Sequence, residues 1–402
     1  MPPPARVLFI LKHRTFESVY STGSPYECGY GEGGDPPPAG SPCYTHDLSS
    51  GLTISVDFVA EMLRAMGVQC KVVQVGDNND IDREVHRYKP THVIIEALWV
   101  VPEKFAILHK LHPDIHWLVR IHSEITFLSN EGVAMDWITR CAGYPMVSIA
   151  ANSKAAQLDI LQVLRAVYPQ WNEWELNRKA VYLPNYYSIP EANDWVAWFK
   201  QTRQPQTVSR IQLDNKDGVV LNVACFGSIR PLKNNLIQAV GALRYADAEG
   251  VTLHFHINGE RTEGGGNVLK NLRALFVNTK HSLVEHPWME HAPFLRVLSW
   301  MDVSLCVSLS ETFCIVAADS IAVGVPTVVS SEVDWASLFA MADPTDSRSI
   351  EKAIRRALMP AFHRIGAWLN RRALRKYCRR SRTAWAEYLH IYEEKPWHWS
   401  EK

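Results

Sequence analysis

Val219-Val-Leu-Asn-Val-Ala-Cys-Phe-Gly-Ser-Ile-Arg-Pro-Leu-Lys-Asn-Asn235 decides how this chain is read. Residues 219–226 form an apolar run that predicts a buried strand. The run ends on Gly227, passes two cations and opens an amphipathic helix expected over 235–247. A strand feeding through a turn into a helix is half of a βαβ unit, and such units build parallel sheets covered by helices on both faces. The turn also has the makings of an anion site. Free backbone N–H groups and the helix dipole add to the charges of Arg230 and Lys233, which both reach one diphosphate from here. A solvated basic loop is the plain alternative.

The same rhythm extends in both directions. Downstream, strands are expected at 252–257, 283–285, 303–307 and 327–329, with helices at 268–277, 292–300 and 315–322. Upstream, strands are expected at 7–11, 70–75, 92–95, 117–121, 146–150 and 179–183. Helices are expected at 55–66, where Val59, Met62, Leu63 and Met66 form one apolar stripe, and at 81–88 and 102–111. Residues 199–218 carry Gln, Thr, Pro, Arg, Asn, Asp and Gly with little periodicity and read as a linker. The fold class is therefore α/β, two Rossmann-like domains facing across a cleft. Their expected limits are 1–195 and 219–380, with 196–218 as linker and 381–402 as a closing helix and tail. Residues 14–50 resist the scheme, being rich in Gly, Pro, Ser and Tyr; they read as a lid or binding loop, or as a disordered insertion.

At 402 residues the chain exceeds what one core normally supports, roughly 250–300 residues. Its 47% hydrophobic and 21% charged residues exclude an intrinsically disordered chain. Lys+Arg and Asp+Glu are both 42, so global charge gives no hint of a nucleic-acid or membrane partner. No membrane span is expected, because the best apolar stretch, 92–101, is short and broken by Glu96. The N-terminal apolar run is too short for a secretion signal, and the eight cysteines are scattered, several inside apolar strands. A cytoplasmic location is expected.

Several motifs are decoys. Gly29-Tyr-Gly31-Glu-Gly-Gly34 matches G-x-G-x-x-G, but Asp35-Pro-Pro-Pro38 follows where a helix must open. Cys28, Cys43 and His46 lack a fourth ligand at zinc spacing, and His286, Glu290 and His291 form no zinc-protease motif. No metal site is expected. Ser308-Leu-Ser-Glu311-Thr-Phe-Cys314 is more informative. A strand ends near Ser308, a helix starts close to Phe313, and the offset from Glu311 to Asp319 is slightly over two helical turns. Both carboxylates can lie on one side of the helix start, at the mouth of the sheet. Alternatively, Glu311 initiates the helix and Asp319 is solvated.

Taken together, these residues resemble a retaining glycosyltransferase of the GT-B type, similar to family 4. That group carries E-x7-E followed by A-x-G-x-P, and here Glu311, Asp319 and Ala322-Val-Gly-Val-Pro326 occupy the pattern. Its G-R-L-x-x-x-K-G motif matches the register from Gly227 to Asn234. Tyr182-Leu-Pro-Asn185-Tyr186 resembles its V-x-P-N-G segment, Ala151-Asn-Ser153 its serine turn, Ile121-His122 its active-site histidine, and Ser49-Ser-Gly51-Leu52 its glycine loop. The match covers about 48–340. Three positions depart: Asp319 stands for the second glutamate, Ser228 for the arginine, and Tyr186 for the glycine after the asparagine. Val93-Ile-Ile-Glu96 and Trp117-Leu-Val-Arg-Ile-His-Ser-Glu124 are also similar to glycosyltransferases encoded by tailed bacteriophages.

The resemblance implies transfer of a hexose from a nucleoside-diphosphate sugar, UDP-glucose-like, with retention and without a metal or other cofactor. It implies a C-terminal helix closing back toward the first domain. Arg230 and Lys233 would stabilise the departing diphosphate, Glu311 would hold sugar hydroxyls, and His122 would touch the sugar from the opposite domain. Gly51, Gly227, Ser228, Asn258, Gly259, Thr312, Phe313, Cys314 and Asp319 would line the donor. On the acceptor side, residues 352–382 hold eleven Lys or Arg and no acid. Arg371, Arg372, Arg375 and Lys376, with Glu96 and Glu124, are the candidates for a DNA acceptor carrying a hydroxylated base. Protein, lipid-linked or free sugar acceptors stay open. The alternative from another class is a sugar-nucleotide-binding or scaffold protein that kept the fold without turnover.

Overall fold

The computed structural model describes residues 5–13, 50–189, 218–260 and 262–390. The segment 14–49, the linker expected at 196–218 apart from Gly218, and the tail after 390 lie outside the described residues.

The first half runs β1 (Arg6–Lys12), α1 (Ser50–Ala65), β2 (Gln69–Val75), α2 (Asp80–Tyr88), β3 (His92–Glu96), α3 (Pro102–Leu111) and β4 (His116–Ile121). It continues through α4 (Ile125–Leu128), α5 (Ala134–Gly143), β5 (Val147–Ala151), α6 (Lys154–Val167), α7 (Glu173–Lys179) and β6 (Ala180–Tyr182). The strands form one parallel sheet in the order β2-β1-β3-β4-β5-β6. Val7 to Leu11 are all buried because helices cover both faces. Leu8 and Ile10 join one apolar cluster with Ile95 and Trp117; Val7, Phe9 and Leu11 join another with Val59, Leu63 and Ile94. Alternate side chains point to opposite faces, so a doubly covered strand is apolar throughout.

The second half runs β7 (Val220–Ala224), α8 (Asn235–Glu249), β8 (Thr252–Asn258), α9 (Gly266–Phe276), β9 (Ser282–His286) and α10 (His291–Leu298). It ends with β10 (Val303–Cys306), α11 (Ile315–Ala322), β11 (Thr327–Val329), α12 (Ser347–Leu358) and α13 (Pro360–Tyr388). Its sheet is also parallel, in the order β11-β10-β7-β8-β9.

Helix α13 runs unbroken through the domain limit expected at 380 and ties the halves together. Leu374, Tyr377 and Cys378 pack with Phe313 and Trp335 of the second half. Trp385 and Leu389 sit in the core of the first half with Phe9, Val59 and Ile94. Trp385 is fully buried, and its Nε1–H donates to the Pro184 carbonyl at 2.9 Å. Among the described residues, no helix is long and apolar enough to cross a membrane.

Residues at or just beyond the C-terminal ends of β1, β3, β4 and β5 line one wall of a cleft; residues following β7 and β10 line the other. Ligand sites of parallel α/β sheets lie at this end of the strands.

Candidate active site

The cleft holds about 1090 Å³ of empty space, part of it open to solvent. On its second-half wall, Gly227 takes a φ of 114°, a conformation that only glycine adopts without strain. Its N–H donates to Asn258 Oδ1 at 2.9 Å. The chain then makes a 3-10 turn over Pro231–Lys233 before α8. Asn234 pins that turn by donating to the carbonyls of Val307 at 3.1 Å and Pro344 at 2.7 Å. The Leu309 N–H donates to the Leu232 carbonyl at 2.8 Å, which joins the turn to the loop that carries Glu311.

This scaffold brings Lys233 and Glu311 into an ion pair, and Ser308 Oγ donates to the same Glu311 oxygen at 3.2 Å. Burial alone would lower the lysine pKa; the carboxylate beside it outweighs this and holds it above the usual value. Arg230 stacks over the Phe127 ring of α4 at 4.5 Å and pairs with Glu263 at 3.4 Å. Arg230 Nε and Ser228 Oγ are buried without a hydrogen-bond partner among the described residues. Buried donors left unsatisfied are rare. Arg230 and Lys233 both line the cleft, and a guanidinium beside an ammonium suits an anion with several acceptor oxygens.

The opposite wall is built around Glu96 and His122. Glu96 is 1% exposed and ends β3, where the sheet register pairs it with Arg120. Arg120, itself fully buried, donates to both Glu96 oxygens at 3.2 and 3.3 Å, to Asn185 Oδ1 at 2.5 Å and to the Leu183 carbonyl at 3.0 Å. His122 Nε2 lies 2.5 Å from Glu96 Oε2. Burial would raise the Glu96 pKa, but Arg120 and His122 outweigh it and hold the carboxyl below its usual range. Burial holds His122 below the usual histidine value, with Glu96 opposing.

Asn152 Nδ2 spans the cleft. It donates to Thr312 Oγ1 at 3.0 Å and approaches His122 Nδ1 at 3.3 Å, while Thr312 Oγ1 donates to the His122 carbonyl at 3.1 Å. Asn152 Oδ1 is buried without a partner among the described residues. Sequence reading passed over Asn152, Arg120 and Thr312 as a connected group; the serine turn and the E-T-F loop were its only signals.

Asp319 lies apart from Glu311, in an adjoining apolar pocket of about 450 Å³ whose lining includes Trp288, Phe294, Asn258 and Gly227. Its Oδ1 accepts from the Tyr187 hydroxyl at 2.7 Å and pairs with His291 Nε2 at 2.8 Å. Gly51, at the start of α1, borders both cavities, as do Ile315 and Val316. Thr312, Phe313 and Cys314 line the larger one. The Phe313 carbonyl accepts from Trp335 Nε1 at 2.6 Å, and the Phe313 ring stacks on Tyr377 of α13 at 5.1 Å, which fixes the loop against that helix. Gly259 and Ser228 line neither cavity; the bare Cα of Gly259 packs against the Glu285 carboxylate.

The residues expected on the acceptor side are not gathered into one site. Glu96 is consumed by Arg120 and His122. Glu124 accepts from Ser153 Oγ at 2.5 Å, and burial raises its pKa. Arg371, Arg372, Arg375 and Lys376 lie on α13, outside both cavities. Nor is the basic stretch one solvated face. Arg371 is 9% exposed, Arg355 pairs with Glu249 and Glu351, and Arg356 donates to the carbonyls of Phe339 and Met341. Among the described residues, no group of three or more His, Cys, Asp or Glu is placed to hold a metal ion.

Two parallel sheets facing across a cleft at their C-terminal ends define the GT-B fold, and solved structures agree. The chain is similar to a UDP-forming α,α-trehalose-phosphate synthase from Burkholderia vietnamiensis, with a TM-score of 0.63 at 12% identity over 96% of this chain and 97% of that one. It is similar to the N-terminal domain of trehalose-6-phosphate phosphatase from Candida albicans, with a TM-score of 0.60 at 12% identity over 97% of each chain. A trehalose-6-phosphate protein of E. coli, bound with UDP-2-fluoro glucose, matches with a TM-score of 0.60 at 11% identity over 96% of this chain and 99% of that one. No protein-family model and no curated sequence matches the chain. At these identities the likeness carries the fold. The family 4-like and phage resemblances rest on the sequence motifs.

Proposed function

We propose that this protein is a retaining glycosyltransferase that moves a hexose from a nucleoside-diphosphate sugar, UDP-glucose-like, to a hydroxyl acceptor. The observation that carries this reading is the Lys233–Glu311 ion pair on the cleft wall, with Arg230 lining the same cleft beside it. A departing nucleoside diphosphate gains negative charge as the glycosidic bond breaks. Preorganised cations in a partly dry cleft stabilise that charge more in the transition state than in the ground state. Lys233 and Arg230 take this role without help from a metal. Glu311, freed from Lys233 as the diphosphate binds, accepts from sugar hydroxyls. The adjoining pocket, with Trp288 and Phe294 on its walls and Asp319 at its edge, takes the nucleoside.

A sugar or sugar phosphate is the favoured acceptor. Lys12 and Trp99 line the cleft on the first-half side, and the neighbours of known structure include one solved with glucose-6-phosphate. A hydroxylated DNA base draws no support from these neighbours, and the basic stretch across α12 and α13 is partly committed to internal contacts. The engaged Asp319 carboxylate favours a second reading, a sugar-nucleotide-binding protein with little turnover. A thermal-shift panel of UDP-, GDP- and ADP-sugars tests the first premise. A rise in Tm with one nucleotide class supports a donor site, and no response to any of them removes both readings.

A further inference from the structure

Helix α13 has two faces. Leu374, Tyr377, Cys378, Ser381 and Trp385 are buried on the side that ties the halves together. On the opposite side, at steps of three or four residues, Phe362, Ile365, Trp368, Arg372, Lys376 and Arg379 are all exposed. The first three are large and apolar. Leu338, on the 3-10 turn Leu338–Ala340, extends their patch and is 83% exposed. Contacts to α12 and α13 hold this turn in place. The Phe339 ring meets Phe362 at 5.7 Å, the Ser337 N–H donates to Asn370 Oδ1 at 3.2 Å, and Arg356 Nε donates to the Phe339 carbonyl at 2.8 Å. Gly366 leaves room for the Phe339 ring, which a Cβ there would meet at 2.9 Å. Leu338 is therefore presented to solvent by a braced backbone. Exposed apolar patches with a polar rim mark interaction surfaces.

The rim of this patch has one sign. Residues 352–382 hold eleven Lys or Arg and no acid, in a chain whose Lys+Arg and Asp+Glu are both 42. Some of these cations are bound internally, but Arg364, Arg372, Lys376 and Arg379 are exposed, and the Arg372 guanidinium lies over the Trp368 ring at 5.4 Å. Glu387 and Asp334 stand at the far end, beside Arg380.

We propose that this face, the turn at Leu338 with the outer side of α13, docks on an anionic lipid surface. Leu338, Phe362, Ile365 and Trp368 enter the boundary between headgroups and acyl chains, and the cations that follow lie against the headgroup phosphates. Aromatic and aliphatic side chains on one helix face, flanked by Arg and Lys, are the composition of helices that lie in a bilayer interface without crossing it. Charge complementarity selects this occupant over a second copy of the chain. A twofold dimer through the same face would set the cationic stripe against itself. The inference stands apart from the glycosyl-transfer reading, since vesicle binding and the response to nucleotide sugars can each fail alone.

The test is co-sedimentation of the full chain with vesicles of phosphatidylcholine, and of an equal mixture of phosphatidylcholine and phosphatidylglycerol, at low and high salt. Wild type should sediment with the mixed vesicles, weakly with phosphatidylcholine, and less as salt rises. Each cation at such a surface strengthens binding by roughly fivefold, so Arg364→Gln, Lys376→Gln and Arg379→Gln together should weaken it by about 10–100-fold. Leu338→Glu with Ile365→Glu should weaken it by about 10–100-fold through lost apolar burial. Both variants exchange exposed side chains and should keep the wild-type Tm, which separates lost docking from lost folding. No sedimentation with the mixed vesicles, equal sedimentation with both kinds, or variants that bind like wild type would overturn the proposal. So would a concentration-dependent dimer that Leu338→Glu with Ile365→Glu abolishes, or binding to polyglutamate without binding to vesicles, which assign the face to a second copy or to an acidic protein.

Discussion

Lys233 and Glu311 stand 78 residues apart in sequence, on the loops that follow β7 and β10, and meet as an ion pair on the wall of the cleft. β7 and β10 are neighbours in the sheet, so their C-terminal loops emerge side by side. The Leu309–Leu232 hydrogen bond locks the two loops together. The pair is therefore preformed, and a bound diphosphate would compete with Glu311 for the lysine.

Lys233→Ala should reduce turnover by about 10²–10³-fold, the usual effect of removing one preorganised charge-stabilising group. It should also lower Tm, because the Glu311 carboxylate is left largely buried and unpaired. Adding Glu311→Gln to Lys233→Ala should restore Tm without restoring turnover. Calorimetry and steady-state rates on the two proteins separate the structural from the catalytic part.

Glu311→Ala should cut kcat, whereas Asp319→Asn should act mainly on the KM for the donor. Glu311 faces the larger cavity near Lys233, and Asp319 sits in the adjoining pocket, away from the bond that breaks. Loss of binding that is equal in ground and transition states raises KM and spares kcat. The opposite pattern in steady-state kinetics would show the two carboxylates exchanged.

His291 predicts a pH effect on stability. Its hydrogen bond to Asp319 raises its pKa against the lowering by burial. A histidine whose pKa is raised on folding stabilises fully below the unfolded value, about 6.5, and loses that contribution as pH rises through the folded value. The Tm deficit of His291→Gln relative to wild type should be larger at pH 5.5 than at pH 8.5. An equal deficit at both would mean that the imidazolium contributes nothing.

Trp385→Ala should destabilise the protein by about 3–5 kcal/mol, the range for emptying a buried aromatic site. The side chain packs on Phe9, sits under the Arg120 guanidinium at 5.5 Å and holds the end of α13 in the first half. Urea unfolding should show a lower midpoint, and an unchanged one would mean that α13 is not anchored there.

The parallel sheets were legible because their buried strands are short apolar runs, and the turn after β7 because strand, glycine, cations and helix follow one another in sequence. A closing helix was expected from 381, but its start at Pro360 was hidden. Its buried stripe of Leu374, Tyr377, Cys378, Ser381 and Trp385 keeps helical spacing, but the many cations between drew the reading toward an acceptor surface. The Glu96–Arg120–His122 network was hidden for another reason. It exists only through the register of β3 against β4, which places Glu96 opposite Arg120, and a single strand's pattern does not carry that register. Asn152 and Thr312 meet across the cleft, and such a contact depends on how the two halves sit together.

The central claim, that the cleft holds a nucleoside-diphosphate sugar and Lys233 stabilises the departing diphosphate, is tested most directly by one measurement. UDP formation from UDP-glucose, with glucose-6-phosphate and with water as acceptors, is followed for wild type and Lys233→Ala in parallel. The account predicts UDP release by wild type, faster with a productive acceptor, and a loss of about 10²–10³-fold in the variant. Equal rates in the two proteins, or none in wild type, would contradict it.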